Sequence, residues 1–179
     1  MRNLTIELPA HEALSEFNLR RWDEILADPV YAKHEFRVES DRFGNVVMSP
    51  PPAPRHGRFQ SRLSALLEKL MPAGSASSEC PVSTADGVKA VDVAWASAER
   101  WSELGNRSCF AHAPEICVEV LSPRNSDLEI KEKTELYFDA GALEVWLCDS
   151  FGNMTFFGPG PSKLNSSRLC PDFPSEIVL

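Results

Sequence analysis

The sequence predicts an α/β fold in which helices flank a central mixed β-sheet. Segments whose apolar residues follow helical spacing are interleaved with short runs typical of strands, which is the pattern of an α/β layer fold. The chain also lacks internal repeats, and its 179 residues are enough to bury one core. We therefore expect a single domain over residues 1–179, in which residues 1–30 form an N-terminal helical extension.

The first half of the chain predicts two helices separated by two short strands. Apolar residues recur at helical spacing from His11 to about Leu26, and Asp28-Pro29 ends that helix. Strands follow at Phe36 to Ser40 and at Asn45 to Ser49, joined by the turn "DRFGN", in which Gly44 can adopt a positive φ. The second helix lies in "RHGRFQSRLSALLEKL", where Phe and Leu residues form one apolar stripe.

The second half predicts further strands and helices in alternation. After the polar connector "PAGSASSE", strands are expected at "CPVST" and "KAVDVAWAS", followed by a short helix or turn at "AERWSEL". A strand from Ile116 to Leu121 leads to a helix that Asn125 or Ser126 can cap and Gly141 can end. The strand "LEVWLCD", a hairpin of "MTFFG" with a segment near Arg168, and a final strand or extended arm at "CPDFPSEIVL" complete the prediction.

Composition and charge exclude several classes of protein. The formal net charge of -8 argues against a protein that coats nucleic acid through a basic surface. The five cysteines are odd in number and lack CxxC spacing, and no signal-peptide pattern is present, so we expect free thiols and a cytoplasmic location. No apolar run is long enough for a membrane span, and the four scattered histidines have no zinc spacing.

Two of the predicted strands each carry one acidic residue among apolar or small neighbours. Strand alternation places Asp92 on the face of Ala90 and Ala94, and it places Glu119 on the face of Cys117. An ionised carboxylate in an apolar strand costs about 3 kcal/mol or more unless a cation or hydrogen bonds compensate it. If the two strands are neighbours, a divalent cation between the acids would relieve their repulsion, and oxygen ligands of this kind suit Mg²⁺ or Mn²⁺.

The helix that follows Glu119 brings a lysine towards the same place. Lys133 lies on the stripe that should face the sheet, whereas Lys131 points away from it. A simpler alternative stays open. Asp92 and Glu119 could lie in water at strand edges, and Lys133 could form an ordinary surface ion pair with Glu129.

Three segments of the sequence resemble a known family. The run "VDVAWAS", the run "APEICVEVLSPRNSDLEIKEKTELYFDAGALEVWLCD" and the upstream "VESDRFGNVVMSPPPAPRHGRFQSRL" are similar to the bacterial putative restriction endonuclease family of the PD-(D/E)XK nuclease superfamily. The resemblance extends from about Arg37 to Asp149, and its "EVLSP...K...Y...G" portion is specific. It implies a restriction-endonuclease-like core and a Mg²⁺- or Mn²⁺-dependent endonuclease that hydrolyses phosphodiester bonds in DNA. We expect such an enzyme to act as a homodimer, so that two sites can meet two strands.

The resemblance also implies a role for each acidic residue. Asp92 and Glu119 would be the two motif acids and would hold the metal ion together with the backbone carbonyl of Val120. The bound metal would polarise the scissile phosphate and lower the pKa of a water molecule. Glu39 would be a further catalytic acid upstream, with Glu35 as the second choice.

The motif lysine is displaced in this sequence. Leu121 occupies its expected position, and Lys133 on the following helix would replace it, either to orient or deprotonate the water or to stabilise the transition state. Two other positions depart from the family pattern. Val91 replaces the proline that usually precedes the aspartate, and Ser40 stands where an apolar residue is expected.

The most concentrated basic cluster is the expected contact with DNA. It lies at the start of the second helix and could bind backbone phosphates or could be an ordinary solvated helix face. Its members are Arg55, His56, Arg58 and Arg62. Two alternative functions stay open at this stage. One is a nuclease-fold protein that binds DNA or acts as a scaffold without turnover, and the other is a metal-dependent nuclease for RNA or branched substrates.

Overall fold

The computed structural model of the protein describes residues 11–32, 36–123 and 125–179. Glu35, the second choice for the upstream acid, lies outside the described residues. In chain order the elements are α1 (His11–Ala27), α2 (Pro29–Ala32), β1 (Arg37–Ser40), β2 (Val46–Ser49), α3 (Pro54–Leu70), β3 (Gly74–Thr84), β4 (Gly87–Ser97), α4 (Ala98–Leu104), β5 (Ile116–Val120), α5 (Asp127–Asp139), β6 (Glu144–Cys148), β7 (Met154–Gly158) and β8 (Ser162–Leu164).

Six of these strands form one mixed sheet in the order β3-β4-β5-β6-β7-β8. The β5 and β6 strands are parallel, with Ile116 opposite Glu144, and the other neighbouring pairs are antiparallel. The parallel pair requires a crossover connection, which α5 provides. β1 and β2 form a separate antiparallel hairpin. The mixed sheet predicted from the sequence is confirmed.

Helices cover both faces of the six-stranded sheet. The apolar stripe of α3, which includes Leu63 and Leu67, packs on one face against Val93 and its neighbours. On the other face, residues of α4 and α5 such as Tyr137 pack against Cys117. Because both faces are covered, all five residues of β5 are buried.

Local sequence signals explain where the helices begin and end. α3 begins at Pro54, because proline has no N–H to leave unpaired in the first turn. The side chain of Ser126 accepts a hydrogen bond from the backbone N–H of Glu129 and so caps α5. The helix ends before Gly141, whose φ of 103° is accessible to glycine at little cost.

The N-terminal helix packs against one end of the β3–β4 hairpin. The side-chain amide of Asn18 donates to Ser83 Oγ at 3.0 Å and to the carbonyl oxygen of Thr84 at 2.9 Å. Trp22 and Ile25 are buried in a small apolar cluster with Val88 of that hairpin and Cys109. The predicted N-terminal helix is therefore part of the packed structure.

Two local predictions are wrong. The segment "PAGSASSE" is largely strand, because β3 begins at Gly74 and its polar residues pair with β4, for example Ser77 with Ala94. β7 pairs with Ser162–Leu164, not with a segment near Arg168. The C-terminal segment is an irregular arm that buries Phe173 and Ile177 in the core of its own chain.

The cysteines behave as the composition predicts. All five thiols are free and buried. Burial raises the pKa of Cys80 and of Cys148 to about 12, so these thiols are poor nucleophiles at neutral pH.

Among the described helices, none is long and apolar enough to cross a membrane.

Candidate active site

The two acids that the sequence analysis selected lie where β4 and β5 separate. The ladder between these strands ends with Val93 opposite Val118, and the next residues along are Asp92 and Glu119. Asp92 is 1% exposed and Glu119 is 9% exposed. The backbone N–H of Val120 donates to Asp92 Oδ2 at 2.7 Å, which joins the two strands through a side chain. The strand fork therefore holds two buried carboxyl groups.

β1 lies beside the first half of β4, which does not pair with β5. The backbone N–H of Val88 donates to Ser40 Oγ at 2.9 Å, and that of Ala90 donates to Glu39 Oε1 at 3.2 Å. Ser40 is buried, and its hydroxyl satisfies a backbone donor that an apolar residue would leave unpaired. This explains the departure from the family pattern at that position. The contact between β1 and β4 also brings Glu39 to the fork.

Glu119 is compensated by two side chains of α5. Tyr137 donates its hydroxyl to Glu119 Oε1 at 2.6 Å. Lys133 Nζ lies 3.5 Å from Glu119 Oε2 and 3.5 Å from Glu39 Oε1, so one ammonium group bridges two carboxylates. Lys131 is 67% exposed and forms an ion pair elsewhere on the helix. Of the two lysines, Lys133 is the one that faces the sheet.

Asp92 is surrounded by donors on both oxygens. Arg37 Nη1 lies 2.6 Å from Asp92 Oδ1, and the Nη2 group of Arg37 donates to the carbonyl oxygen of Ala90. His56 Nε2 lies 3.3 Å from Asp92 Oδ2, the oxygen that also accepts from Val120. A charged residue that the sequence analysis did not select, Arg37, is thus the nearest cation to Asp92.

A fourth carboxylate comes from β3. Glu79 is opposite Asp92 in the register of β3 and β4, and the ladder skips this pair. Its φ of 50° is uncommon outside glycine, and such strain concentrates at functional sites. Gln60 of α3 donates to Glu79 Oε1 at 2.5 Å, while Arg37 Nε lies 3.2 Å from Glu79 Oε2. The irregular backbone turns this acid towards the fork.

The same irregularity breaks the strict alternation expected along β4. Val91 and Ala94 pack in the cluster beneath α4 and α5, whereas Val93 packs beneath α3. Asp92 lies beside His56 of α3. The expectation that Asp92 shares a face with Ala94 is therefore wrong, because the interrupted pairing rotates the strand at this point.

Burial and charge shift the pKa values of the site in different directions. Burial raises the pKa of Glu119 to about 7, although Lys133 opposes the shift. Burial also disfavours the ionised form of Asp92, but His56 and Arg37 hold the pKa of that carboxyl below its ordinary value. Burial alone would lower the pKa of Lys133, yet its carboxylate neighbours keep it above the ordinary value. The same competition leaves the pKa of Arg37 raised. The site therefore keeps its cations charged and holds excess negative charge.

The four residues predicted to contact DNA do not form one surface in the structure. The side chain of His56 is 16% exposed and turns to Asp92. Arg55 places its guanidinium 5.6 Å from the ring centre of Phe59. Arg58 and Arg62 are exposed and line an open groove of about 850 Å³ that the last two residues of the chain also border. His56 thus lies at the acid cluster, which we define as Glu39, Glu79, Asp92 and Glu119. The three arginines lie on the surface of α3.

The acid cluster fits a hard divalent cation. Ligand atoms of His56, Glu79 and Asp92 all lie within 4.8 Å of one another. His56 Nε2 is buried and lies 3.3 Å from Asp92 Oδ2, and an imidazole nitrogen can serve as a metal ligand. Carboxylate oxygens dominate the cluster, and oxygen donors suit Mg²⁺ and Mn²⁺. Asp92 belongs both to this group and to the predicted set of Asp92, Glu119 and the Val120 carbonyl.

The acid cluster borders a cleft of about 510 Å³. The lining of this cleft includes Arg37, Gln60 and Glu79 from the site, and Trp22 and Tyr31 from the N-terminal helices. The cleft gives the buried charges a route to solvent.

Sequence reasoning missed Arg37 and Glu79 and assigned His56 to a different role. A signal for Arg37 was present, because a residue two positions before Glu39 shares its face of a strand. Glu79 carried no such signal, since it ends a polar run that resembles a connector. The position of His56 depends on how α3 packs over the fork, which no local pattern reports.

Comparison with known proteins identifies both family and fold. The family model described as "Uma2: Putative restriction endonuclease" matches residues 22–158, most of the chain. A solved structure from Anabaena variabilis, described as a "putative nuclease belonging to DUF820", aligns with a TM-score of 0.65 at 17% identity. The alignment covers 78% of this chain and 86% of that chain, and it shows that the two share a fold. No curated protein matches this chain. The predicted restriction-endonuclease-like fold is confirmed.

Proposed function

Because the chain belongs to the family described as "Putative restriction endonuclease", we propose that it hydrolyses phosphodiester bonds in DNA and depends on Mg²⁺ or Mn²⁺. One observation carries the proposal. Four carboxylates meet two cations at the strand fork. The side chains of Glu39, Asp92 and Glu119 are at most 15% exposed, and burial alone would disfavour such a concentration of charge. A structural role requires no such convergence, whereas metal-dependent phosphoryl transfer uses metal ligands and gains from a fixed positive charge beside them.

The metal ligands in this proposal are Asp92, Glu119 and the backbone carbonyl of Val120, with His56 and Glu79 as neighbouring donors. Asp92 suits this role because its pKa is held low, so its carboxyl group is ionised at neutral pH. When bound, the metal ion supplies Lewis-acid activation of the phosphate and of a water molecule. Glu39 is held at the fork by the Ala90 N–H and would contribute a further carboxylate.

Lys133 acts in this proposal as a fixed positive charge. Its two ion pairs favour the charged ammonium form, which makes it a poor base but a good partner for the negative charge that builds up on the phosphate. Tyr137 orients Glu119 through a hydrogen bond of 2.6 Å. Both side chains come from α5, so one rigid helix positions the cation and the acid together.

The exposed arginines of α3 would contact the backbone of the nucleic acid. Arg58 and Arg62 lie one turn apart on the same helix that supplies His56. Such contacts position a duplex without reading its sequence. They supply positive charge locally in a protein whose net charge is -8.

Two measurements on the same protein samples test the proposal. Mg²⁺ and Mn²⁺ are titrated calorimetrically into the wild type, Asp92→Asn and Glu119→Gln, and each sample is then assayed for nicking of a supercoiled plasmid. Glu132→Gln on the exposed side of α5 is the matched control. We expect binding and nicking in the wild type and in the control, and loss of both in the two active-site variants.

Other outcomes distinguish the alternatives. One outcome is metal binding without cleavage of plasmid, but with cleavage of RNA or of branched DNA in parallel digests. It would show that the proposed reaction is right and that the proposed substrate is wrong. Absence of cleavage on every substrate with either metal would favour a nuclease fold retained for binding or scaffolding.

We also propose that the protein acts as a homodimer, because two sites related by symmetry can reach the two strands of a duplex. Sedimentation velocity over a range of protein concentrations tests this directly. A monomer at all concentrations, with and without DNA, would contradict it.

A further inference from the structure

We propose that Arg37 is a built-in counter-ion that competes with the divalent cation for Asp92 and thereby sets how tightly the site binds that cation. This inference rests on the proposed function, since it concerns the affinity of the same site. Arg37 was not among the residues selected from the sequence, and neither metal coordination nor the attack of water explains its position.

The guanidinium of Arg37 lies inside the acid cluster. Nη1 is 2.6 Å from Asp92 Oδ1, Nε is 3.2 Å from Glu79 Oε2 and Nη2 is 3.7 Å from Glu39 Oε1. Nη2 also donates to the carbonyl oxygen of Ala90. The side chain is only 16% exposed, so these contacts are not an ordinary surface ion pair. Arg37 therefore contacts three of the four carboxylates of the cluster.

Asp92 has no oxygen left without a partner. Oδ1 faces Arg37, and Oδ2 accepts from the Val120 N–H and faces His56. The Val120 donor is part of the backbone of β5 and cannot withdraw without opening the sheet. A cation that binds Asp92 through Oδ1 must therefore share that oxygen with Arg37 or displace it, and like charges at such distances repel strongly.

Arg37 has space into which it can withdraw. Its side chain lines the cleft of about 510 Å³ that borders the acid cluster. An arginine side chain has several rotatable bonds, so the guanidinium can move while β1 stays in place. The exchange of Arg37 for a metal ion then requires no rearrangement of the strands.

The charge of the cluster favours this exchange. The cluster has four carboxylates and two cations, Arg37 and Lys133. When every acid is ionised, the formal excess is therefore two negative charges. Removal of the Arg37 charge raises that excess to three and should strengthen the attraction for a divalent cation. Lys133 pairs with Glu39 and Glu119 and not with Asp92, so the exchange at Asp92 concerns Arg37 alone.

Calorimetric titration with MnCl₂ tests the inference, with four proteins: wild type, Arg37→Gln, Arg37→Lys and Arg42→Gln. Arg42 is the matched control, because it lies in the same hairpin but is 56% exposed and pairs with Asp86 outside the cluster. We expect Arg37→Gln to bind Mn²⁺ at least about tenfold more tightly than the wild type, which corresponds to about 1.4 kcal/mol. Arg37→Lys should lie nearer the wild type, and Arg42→Gln should equal it. Equal or weaker binding by Arg37→Gln would overturn the inference.

A measurement on the wild type covers the case in which Arg37→Gln does not fold. Phenylglyoxal modifies accessible arginines, and mass spectrometry after digestion gives the rate at each position. Arg37 should react slowly without metal and at least several-fold faster with saturating Mn²⁺, while Arg42 should not change. An unchanged rate at Arg37 under saturating Mn²⁺ would refute the displacement.

The titration separates this inference from the proposed function. If the wild type binds Mn²⁺, Asp92→Asn does not, and Arg37→Gln binds no better than the wild type, the metal site stands and only the counter-ion role fails. If neither the wild type nor Arg37→Gln binds, both proposals fail. If Arg37→Gln binds and the wild type does not, the counter-ion role is supported.

Discussion

Replacement of Lys133 by methionine tests how far the acid cluster depends on one cation. Methionine preserves most of the side-chain volume and removes the charge. In the structure the ammonium lies 3.5 Å from each of two carboxylates and the side chain is 20% exposed. At an effective dielectric constant of about 20, each attraction amounts to about 5 kcal/mol before the cost of desolvation. Desolvation of the ammonium offsets much of this gain.

We expect the free energy of unfolding to fall by about 2–3 kcal/mol, because the variant leaves Glu39 and Glu119 without their shared counter-charge. For a chain of this length the melting temperature should fall by roughly 5–10 °C. If Lys133 also stabilises the transition state, the nicking rate should fall by about 10²- to 10³-fold. Urea denaturation in EDTA and plasmid nicking at saturating Mg²⁺ measure the two effects separately.

Lys131→Met is the control on the same helix. Lys131 is 67% exposed and its ion pair with Glu135 spans 3.8 Å, so its removal should change stability by no more than about 0.5 kcal/mol and should leave nicking unchanged. Equal effects of the two substitutions, or wild-type stability in Lys133→Met, would refute the reasoning from burial and charge.

Three further predictions concern buried groups. Tyr137→Phe removes the hydroxyl that donates to Glu119 at 2.6 Å, and it should lower the free energy of unfolding in EDTA by about 1–3 kcal/mol. A loss below about 0.5 kcal/mol would contradict the assigned bond. Glu144 is buried and accepts from the Trp146 indole and from two backbone N–H groups of the loop after β8. Glu144→Gln should cost about 2–3 kcal/mol in urea denaturation because an amide cannot accept all three bonds, whereas Glu132→Gln should cost almost nothing. The thiols of Cys80 and Cys148, whose pKa values burial raises to about 12, should react with Ellman's reagent at pH 8 about 10³-fold more slowly in the folded protein than in urea; fast labelling of the native protein would show that they are accessible.

The elements of the fold could be predicted from local pattern, and the exceptions have a physical cause. The helix over His11–Ala27 and the α3 stripe follow from the 3.6-residue period, and β5 follows from its buried apolar run. The first half of β3 could not be recognised because its serines satisfy the ladder with backbone groups and contribute no apolar signal. The partner of β7 was misplaced because strand pairing is not encoded in the strand itself.

The acid pair, the lysine and the direction in which it points were all accessible from sequence periodicity and family resemblance. Asp92, Glu119 and Lys133 lie together in the structure, and Glu39 reaches them from β1. Glu119 and Lys133 occupy elements with regular periods, so their faces could be inferred before the elements were assembled. The face of Asp92 could not, because the pairing of β3 with β4 is interrupted at that residue.

The tertiary structure alone decided what surrounds them. Arg37, His56 and Glu79 come from three different elements and meet at one fork because β5 leaves β4 at Val93, which opens a space that β1 and α3 fill. The positive φ of Glu79 interrupts the strand at that residue. The alternation of side chains between the two faces of the sheet therefore does not predict the faces of the residues around it. Local sequence encodes the face of a strand or helix, but the balance of charge at a buried site depends on contacts between residues far apart in the chain, and those contacts exist only after packing.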